Sequence, residues 1–356
     1  IVNSNTNTGI ASFSGRVWVA SGRNVTYTAA GQYSDFTGVS SGSVSLTDST
    51  LHGNIQQLLA ANDFLYIFGD SSINVFSNVQ VTSSGQTLFT NTNVSASVGS
   101  KQPYAIIPYF RSILFMNNYG VYALVGSTTS KLSDQLDGIF PLIDFTLPVS
   151  AGQVLLNNIL CAAYNFRYTG GQGTTSSNRY LQAVFFEKKW FITSQGDDLK
   201  WIWAAPLGGT INLYGTNGNN CVQLYTDSTS SINSYGQTAL DPMKDPIRTK
   251  PATKIGVEAT VANSSGIVVT VDSEVGSSPA LILGQLATWI NNLSITVTWV
   301  NNSAQTIGWS PSANGYTLYK SDARQYGKYL GMTVTSASPG IVYNGFEYEH
   351  ELRVRF

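Results

Sequence analysis

Charged side chains are scarce in this chain. Asp, Glu, Lys and Arg together make up 11% of its 356 residues, against about 25% in an average soluble domain. The hydrophobic fraction is still 42%, which excludes a chain that stays disordered for want of a core. Since 19 basic residues face 20 acidic ones, the composition argues against tight, non-specific DNA binding, which needs clustered positive charge.

Cysteine and long apolar runs are scarce as well. Cys161 and Cys221 both lie in apolar, strand-like surroundings, which excludes a disulfide framework and predicts two buried free thiols. No apolar run approaches the roughly 20 residues that cross a bilayer as a helix, so we expect no membrane-spanning segment. No secretory segment opens the chain. It begins at Ile1 rather than Met, so whether Ile1 is the true N-terminus stays open.

Helical patterns are nearly absent too. Only 54–61 and 133–139 could form a turn or two of helix. Elsewhere, short β-branched and aromatic runs alternate with Gly, Asn, Asp and Ser, a pattern typical of strands.

The strand-like runs repeat. Three hairpins place an apolar residue at equivalent positions 48 residues apart, and a fourth strand follows one period later: Val17, Leu65, Ile113 and Cys161. Strand–turn–strand units with a period of 40–50 residues are typical of a β-propeller, in which each small sheet buries its faces against the next. A long β-sandwich stays an alternative. A β-helix is disfavoured because its repeats are much shorter.

We therefore predict an all-β fold: a β-propeller of strand-turn-strand blades at 1–240, with an inserted loop near 169–178. The two prolines of 241–246 suit a linker. The region 247–356 is predicted to be a C-terminal β region, either β-sandwich-like or made of blade-closing strands.

Candidate catalytic residues give weak signals. Ser40 lies in a Gly-x-Ser-x-Gly match, but no helix follows it, and His52 and His350 are the only histidines. Two groups of carboxylates, Asp134 with Asp137, and Glu187 with Asp197 and Asp198, could serve glycoside hydrolysis, which needs two such groups facing a sugar. The second group is close in sequence to three possible aromatic platforms: Trp190, Trp201 and Trp203.

Metal and cofactor sites have even less support. The histidines and cysteines lack zinc-ligand spacing, no calcium loop is present, and the glycine-rich 170–173 is better explained as a hairpin tip than as a phosphate cradle. We predict no catalytic, cofactor-binding or metal-binding residues, and no cofactor.

Three hairpins carry a more specific resemblance, namely 15–36, 64–77 and 113–139, together with the closing stretch 316–356. They resemble blade hairpins and the C-terminal end of propeller-type tail tube or hub (nozzle) proteins from short-tailed double-stranded DNA phages. The shared motifs are packing patterns and cover about two thirds of the chain.

The resemblance implies a structural virion protein of the phage tail, assembled in the host cytoplasm, and not an enzyme. Copies would form a ring, typically of six, below the tail adaptor proteins and near tail fibre or needle proteins. The ring would continue the DNA channel, retain the packaged genome and permit its ejection. A near-neutral wall fits this role, because DNA would pass without tight binding.

A second interpretation stays open. The tryptophans near acidic residues also suit a carbohydrate-binding or glycan-cleaving propeller for host receptor recognition, with Asp137 and Glu187 as the residues to test.

Overall fold

A computed structural model describes residues 7–46, 51–170, 178–194, 198–226, 233–260, 266–283, 316–337 and 341–351, and the short pieces 289–290, 296–297, 299–300, 302 and 306–307. The chain forms two compact units, Ile1–Tyr225 and Thr226–Phe356. Both units are built from antiparallel strands, so the predicted all-β class is confirmed.

The first unit consists of five sheets, here called blades, whose strands follow one another in chain order. Blade 1 holds β1 (Asn7–Phe13), β2 (Arg16–Ser21), β3 (Asn24–Tyr27) and β4 (Gly42–Ser45). Blade 2 holds β5 (Ile55–Ala61), β6 (Phe64–Gly69), β7 (Ile73–Val81) and β8 (Thr87–Ser95). Blade 3 holds β9 (Ile106–Tyr109), β10 (Ser112–Asn117), β11 (Gly120–Val125) and β12 (Thr128–Lys131). Blade 4 holds β13 (Ser150–Leu156), β14 (Ile159–Tyr168), β15 (Arg179–Phe186) and β16 (Lys189–Thr193). Blade 5 has three strands: β17 (Trp201–Leu207), β18 (Thr210–Thr216) and β19 (Cys221–Gln223).

The 48-residue period corresponds to the second strand of each blade. Val17, Leu65, Ile113 and Cys161 lie in β2, β6, β10 and β14, the second strands of blades 1 to 4. The predicted propeller blades are therefore confirmed. The insert near 169–178 lies between β14 and β15, which pair with each other.

Successive blades pack through shared cores, and this packing explains the apolar runs in the second strands. In β6, Leu65 and Ile67 face blade 1, whereas Tyr66 and Phe68 face blade 3. A strand that is buried on both faces has a continuous apolar sequence instead of an alternating one. Further cores join blade 3 to blade 4 and blade 4 to blade 5. Among the described residues, no such core joins blade 5 to blade 1.

A two-residue turn joins the first and second strands in every blade. The first turn residue has a positive φ each time: Ser14, Asn62, Phe110, Asn157 and Gly208. Such turns match the twist of the strands they join, and they favour Gly, Asn or Asp at positions with positive φ. Blades 1 and 3 depart from this preference, because Ser14 adopts φ 50° and the bulkier Phe110 adopts φ 52°.

The second unit contains two larger sheets with a common core. One has the order β20 (Ser234–Gln237), β30 (Leu330–Ser336), β22 (Ile267–Ser273) and β23 (Gly276–Ser277), with β24 (Leu281–Leu283) also on β22. The other has β21 (Lys250–Thr260) between β29 (Tyr316–Gly327) and β31 (Val342–His350). Small hairpins are formed by β25 (Trp289–Ile290) with β26 (Thr296–Val297) and by β27 (Trp299–Val300) with β28 (Thr306–Ile307).

Side chains from both larger sheets fill one core, as in a β-sandwich. Ile255 and Val257 of β21 meet Val269 of β22 and Val334 of β30 in this core. Of the two predicted arrangements for the C-terminal region, the β-sandwich-like one therefore describes the second unit. Strand β20, assigned to the propeller region from the sequence, pairs with β30 in this unit.

Two local predictions were wrong. Of residues 54–61, expected to form a helical turn, Ile55–Ala61 form β5, because pairing with β6 outweighs the helix propensity of Leu and Ala. Cys161 is buried as expected, but Cys221 is exposed, because it lies on the edge strand of blade 5, with which no further described strand pairs. The other expected helical turn, 133–139, contains a single 3-10 turn at Asp134–Leu136, and further 3-10 turns lie at Pro103–Ala105 and Phe140–Leu142.

Candidate functional site

The first strands of neighbouring blades run side by side at the centre of the first unit. Gly9 of β1 lies against the backbone of Leu58 in β5, and Gly152 of β13 lies against Ala204 of β17. The Gln153 side chain of β13 donates a hydrogen bond to the Pro108 carbonyl of β9. The centre of this unit is therefore lined by β1, β5, β9, β13 and β17.

These five strands contain no Asp, Glu, Lys or Arg. In every blade, the residue two positions before the turn between the first and second strands is exposed. These five residues are small or apolar: Ser12, Ala60, Pro108, Leu155 and Pro206. Because phosphate recognition needs positive charge and glycoside hydrolysis needs carboxylates, these strands supply neither chemistry.

Asp134 and Asp137 both pair with one lysine. The Lys131 ammonium lies 2.5 Å from the Asp137 carboxylate and 3.6 Å from that of Asp134. The hydrogen bond to Asp137 is the main reason that the pKa of Lys131 is raised. The two carboxylates lie in the loop that follows β12, and they neutralise Lys131 at the end of that strand.

Glu187 and Asp198 are held apart by a strand. Glu187 lies in the turn before β16, and Asp198 follows that strand, so five residues at about 3.3 Å each separate the two ends of the strand. Asp198 accepts hydrogen bonds from the Arg167 guanidinium at 2.7 Å and from the Tyr180 amide at 2.6 Å. Its role is to connect β14 and β15 to the loop before β17. Asp197 lies outside the described residues.

Other carboxylates in the loops act as acceptors for nearby amides and hydroxyls. Asp35 accepts from the Thr37 amide, the Thr37 hydroxyl and the Gly38 amide, and these bonds lower the pKa of its carboxyl. Asp144 repeats the arrangement with the hydroxyl and amide of Thr146, which also lower its pKa. A carboxyl group that acts as a general acid needs a raised pKa instead.

The three candidate tryptophans have different environments. Trp190 is buried, and its indole N–H donates to the Leu132 carbonyl at 2.8 Å, so it packs blade 4 against blade 3. Trp201 is half-buried and meets Tyr104 edge-on at a ring distance of 5.1 Å. Only Trp203 is presented at the surface: it is 39% exposed and stacks on Tyr214 at 6.2 Å.

Trp203 belongs to a larger apolar surface, the face of blade 5 that points away from blade 4. Ile202 and Leu213 of this blade pack on blade 4, so strand alternation directs their neighbours to the opposite face. We call it the outer face of blade 5; its residues are Trp201, Trp203, Ala205, Leu207, Thr210, Asn212, Tyr214, Thr216, Cys221 and Gln223. None of them is charged. In the sequence, only the tryptophans indicate this surface. Which face of the strands is exposed depends on blade 5 being the last blade, and this does not follow from the local sequence.

Ser40 and the glycine-rich loop acquire no catalytic partners. The Ser40 hydroxyl accepts from the Ala30 amide at 2.9 Å, and its carbonyl accepts from Arg16 and Thr87. The described residues show no hydrogen bond between Ser40 and a histidine. Of the stretch 170–173, only Gly170 is described, and it lies against Tyr168 and Leu142.

The described residues show neither a metal-binding cluster nor a membrane-spanning helix. In the described part of the chain, no three His, Cys, Asp or Glu side chains come together. Nor does any helix there have the length and apolar character needed to cross a membrane.

Comparisons with known proteins reach the level of the fold only. No protein-family model and no curated protein matches the chain. Solved structures similar to it include the Bombyx mori GH32 beta-fructofuranosidase BmSUC1 (10% identity, 98% of this chain and 91% of that chain, TM-score 0.28). Others are the N-terminal domain of Nup159 (10%, 92% and 75%, TM-score 0.28) and exo-beta-1,3-galactanase from Phanerochaete chrysosporium (9%, 94% and 93%, TM-score 0.28).

These matches correct one expectation. The prediction that the chain is not an enzyme, which followed from the resemblance in packing motifs, was wrong, because the structures similar to the chain include glycosidases. Packing motifs, on which that prediction rested, describe how blades fit together. They leave open what chemistry the loops between blades perform.

Proposed function

We propose that this chain is a ring-forming structural subunit of the tail of a short-tailed double-stranded DNA phage, in which the ring surrounds the DNA channel, retains the packaged genome and permits its ejection. The observation that carries the proposal is the combination of large exposed apolar side chains with very little charge on the propeller unit. Ile10, Phe110, Tyr119 and Leu207 are all more than half exposed. Exposed apolar surface of this kind is typical of interaction sites.

Part of the positive charge in the described residues is neutralised or buried, which supports passage of DNA without retention. Lys131, Arg167 and Lys320 are each paired with carboxylates, and Arg16 and Lys250 donate to backbone carbonyls inside the protein. Paired or buried cations release few counterions from DNA. A wall built from such surfaces would let the duplex slide past it.

The proposal is tested by imaging and by DNA binding. The purified chain should form rings with a central opening in negative-stain micrographs, and fluorescence anisotropy should show no salt-dependent binding of duplex DNA. A chain that stays monomeric at micromolar concentration, or that binds duplex DNA with a steep salt dependence, would overturn the proposal.

Carbohydrate binding is a second candidate, supported by the exposed Trp203–Tyr214 stack. Aromatic faces with uncharged hydrogen-bonding neighbours such as Asn212 and Gln223 suit a sugar, which has both apolar faces and hydroxyls. A glycan array tests this candidate: binding that is saturable and is lost in Trp203→Ala supports it, and an array without signal rejects it. For the cleaving form of this candidate, Asp137, one of the carboxylates to test, is paired with Lys131.

A further inference from the structure

The blade stack of the first unit has two end faces, one on blade 1 and one on blade 5. Within the stack, each blade is covered by the next one through a shared apolar core. Among the described residues of the first unit, no such core lies on the outer side of blade 1 or of blade 5. Stacked repeats usually end in a polar outer face that keeps them soluble, so the chemistry of these two faces is informative.

The outer face of blade 5 is not a polar cap. Trp203 is 39% exposed and Leu207 is 62% exposed, while Tyr214 stacks on Trp203. Trp201 is half-buried and meets Tyr104, and the remaining members of this face are small or uncharged polar residues. The inner part of this face is therefore apolar and uncharged.

The outer face of blade 1 is also uncharged. Trp18, Val25 and Tyr27 point toward blade 2, so alternation directs their neighbours outward. By strand pairing, this outer face consists of Asn7, Ile10, Ser12, Val17, Val19, Ser21, Asn24, Thr26, Ser43 and Ser45. Most of these residues are Ser, Thr or Asn, and Val19 is buried. Ile10, at its inner strand, is 67% exposed.

We propose that the outer face of blade 1 from a second copy of this chain packs on the outer face of blade 5, so that blade stacking continues from one copy into the next. This inference rests on the proposed function and identifies the contact that builds the ring. The contact continues the blade-to-blade interface that the molecule already forms between each successive pair of blades. Since neither face carries a charge, their contact buries no unpaired ion, which would be strongly unfavourable.

The contact is head-to-tail, because two different faces meet. Such heterologous contacts generate closed rings when the rotation between copies closes, whereas a contact of one face with itself gives only a dimer. Closure within one chain would bring the same two faces together. Ile10 and Leu207 are mostly exposed, so these two side chains are accessible to a second copy.

The test uses one charge on each face. Leu207→Asp alters the outer face of blade 5 and Ile10→Asp alters that of blade 1; both positions are exposed, so the folded chain tolerates the change. Leu88→Asp is the matched control, because Leu88 is 56% exposed on β8, outside both faces. Sedimentation velocity and native mass spectrometry of the full chain are measured at micromolar concentration.

Leu207→Asp and Ile10→Asp should each weaken self-association by more than about 100-fold, and Leu88→Asp should assemble like the wild type. An equimolar mixture of the two face variants should form a one-to-one heterodimer, because one intact contact remains, but no ring. Circular dichroism spectra that match the wild type confirm that the variants fold.

The alternative outcomes are distinct. Wild-type rings that persist in both face variants overturn this contact and leave the ring proposal standing. A mixture without heterodimers overturns the head-to-tail arrangement. A monomeric wild type overturns the proposed function itself, and a glycan that binds this monomer through Trp203 identifies the outer face of blade 5 as a sugar site instead.

Discussion

Gly152 of β13 lies directly against Ala204 of β17: a Cβ atom on Gly152 would approach the Ala204 amide nitrogen to 3.0 Å. Nearby, the Ser150 hydroxyl accepts a hydrogen bond from the Ile202 amide at 2.9 Å. The first strands of blades 4 and 5 therefore meet backbone to backbone. Such an approach requires glycine, since any side chain at 152 would push the strands apart.

Gly152→Ala should destabilise the first unit by about 1–3 kcal/mol, the usual cost of overpacking a closely packed region. Urea unfolding followed by tryptophan fluorescence measures the change. Gly138→Ala is the control, because nothing lies within 4 Å of a Cβ at that position, and it should leave the midpoint nearly unchanged. Equal effects of the two substitutions would show that the strands are not in close contact at Gly152.

Phe110→Asn should stabilise the protein. Phe110 has φ 52° and is 71% exposed, so a bulky side chain occupies the left-handed region, at a cost of about 1–2 kcal/mol. Asn occupies the same turn position in blades 2 and 4 at φ 50° and 49°. The contact of Phe110 with the Tyr109 ring is lost in exchange, so we expect the net gain in stability to be only about 0.5–1 kcal/mol.

The reciprocal substitution checks the explanation. Asn157→Phe places the aromatic ring at the equivalent turn of blade 4 and should destabilise by about 1 kcal/mol. Both variants are compared by thermal unfolding. A Phe110→Asn variant that is less stable than the wild type would mean that the ring contributes more by contact than it costs by strain.

The second strands of the blades were predictable from the sequence for a physical reason. Burial on both faces gives them continuous apolar runs, such as 64–68, and tight turns follow them. The first strands were not predictable, because β5 contains Gln, Leu and Ala, which also suit a helix. Its extended conformation comes from pairing with β6 in a hairpin and from packing beside β1, which is distant in sequence.

The candidate site was less predictable than the fold. Glu187, Asp198 and Trp190 are close in sequence, yet β16 separates the two carboxylates and Trp190 is buried between blades. Residues that are close in sequence lie far apart in space when an extended strand separates them, whereas a helix or a loop can keep them close together. The outer face of blade 5 could not be recognised beforehand, because its exposure depends on which blade is last.

Gln102→Leu should destabilise the contact between blades 3 and 4. The buried Gln102 amide accepts from the Val149 amide at 3.0 Å and donates to the Phe145 carbonyl at 3.1 Å. Leu fills a similar volume but leaves both backbone groups without this partner, which costs about 2–4 kcal/mol. Chemical unfolding measures the loss. Gln86→Leu, at an exposed position, should change stability by less than about 0.5 kcal/mol.

Lys250→Met should destabilise the second unit. The buried Lys250 ammonium donates to the carbonyls of Asp245 at 2.5 Å, Arg248 at 3.1 Å and Lys328 at 2.6 Å. Met keeps the chain length but leaves three carbonyls without their donor, so we expect a loss of about 2–4 kcal/mol. Scanning calorimetry follows the unfolding transitions. Lys254→Met, at an exposed position on the same strand, is the control and should have little effect.

Acidification should destabilise the protein through its loop carboxylates. The pKa of Asp144 is lowered in the folded state by the hydroxyl and the amide of Thr146, so the unfolded chain binds a proton more readily than the folded one. Stability from this group is therefore complete above the ordinary Asp pKa of about 3.9 and is lost as the pH falls through the lower folded value. Asp35 acts in the same direction.

The melting temperature should accordingly fall as the pH drops below about 4. In Asp144→Asn the decline should be shallower, because the variant has no carboxyl to titrate at this position, while an amide oxygen still accepts from Thr146. Asp63→Asn is the control, since Asp63 is an exposed turn residue, and it should follow the wild-type curve. An Asp144→Asn curve as steep as that of the wild type would assign the acid sensitivity to other carboxylates.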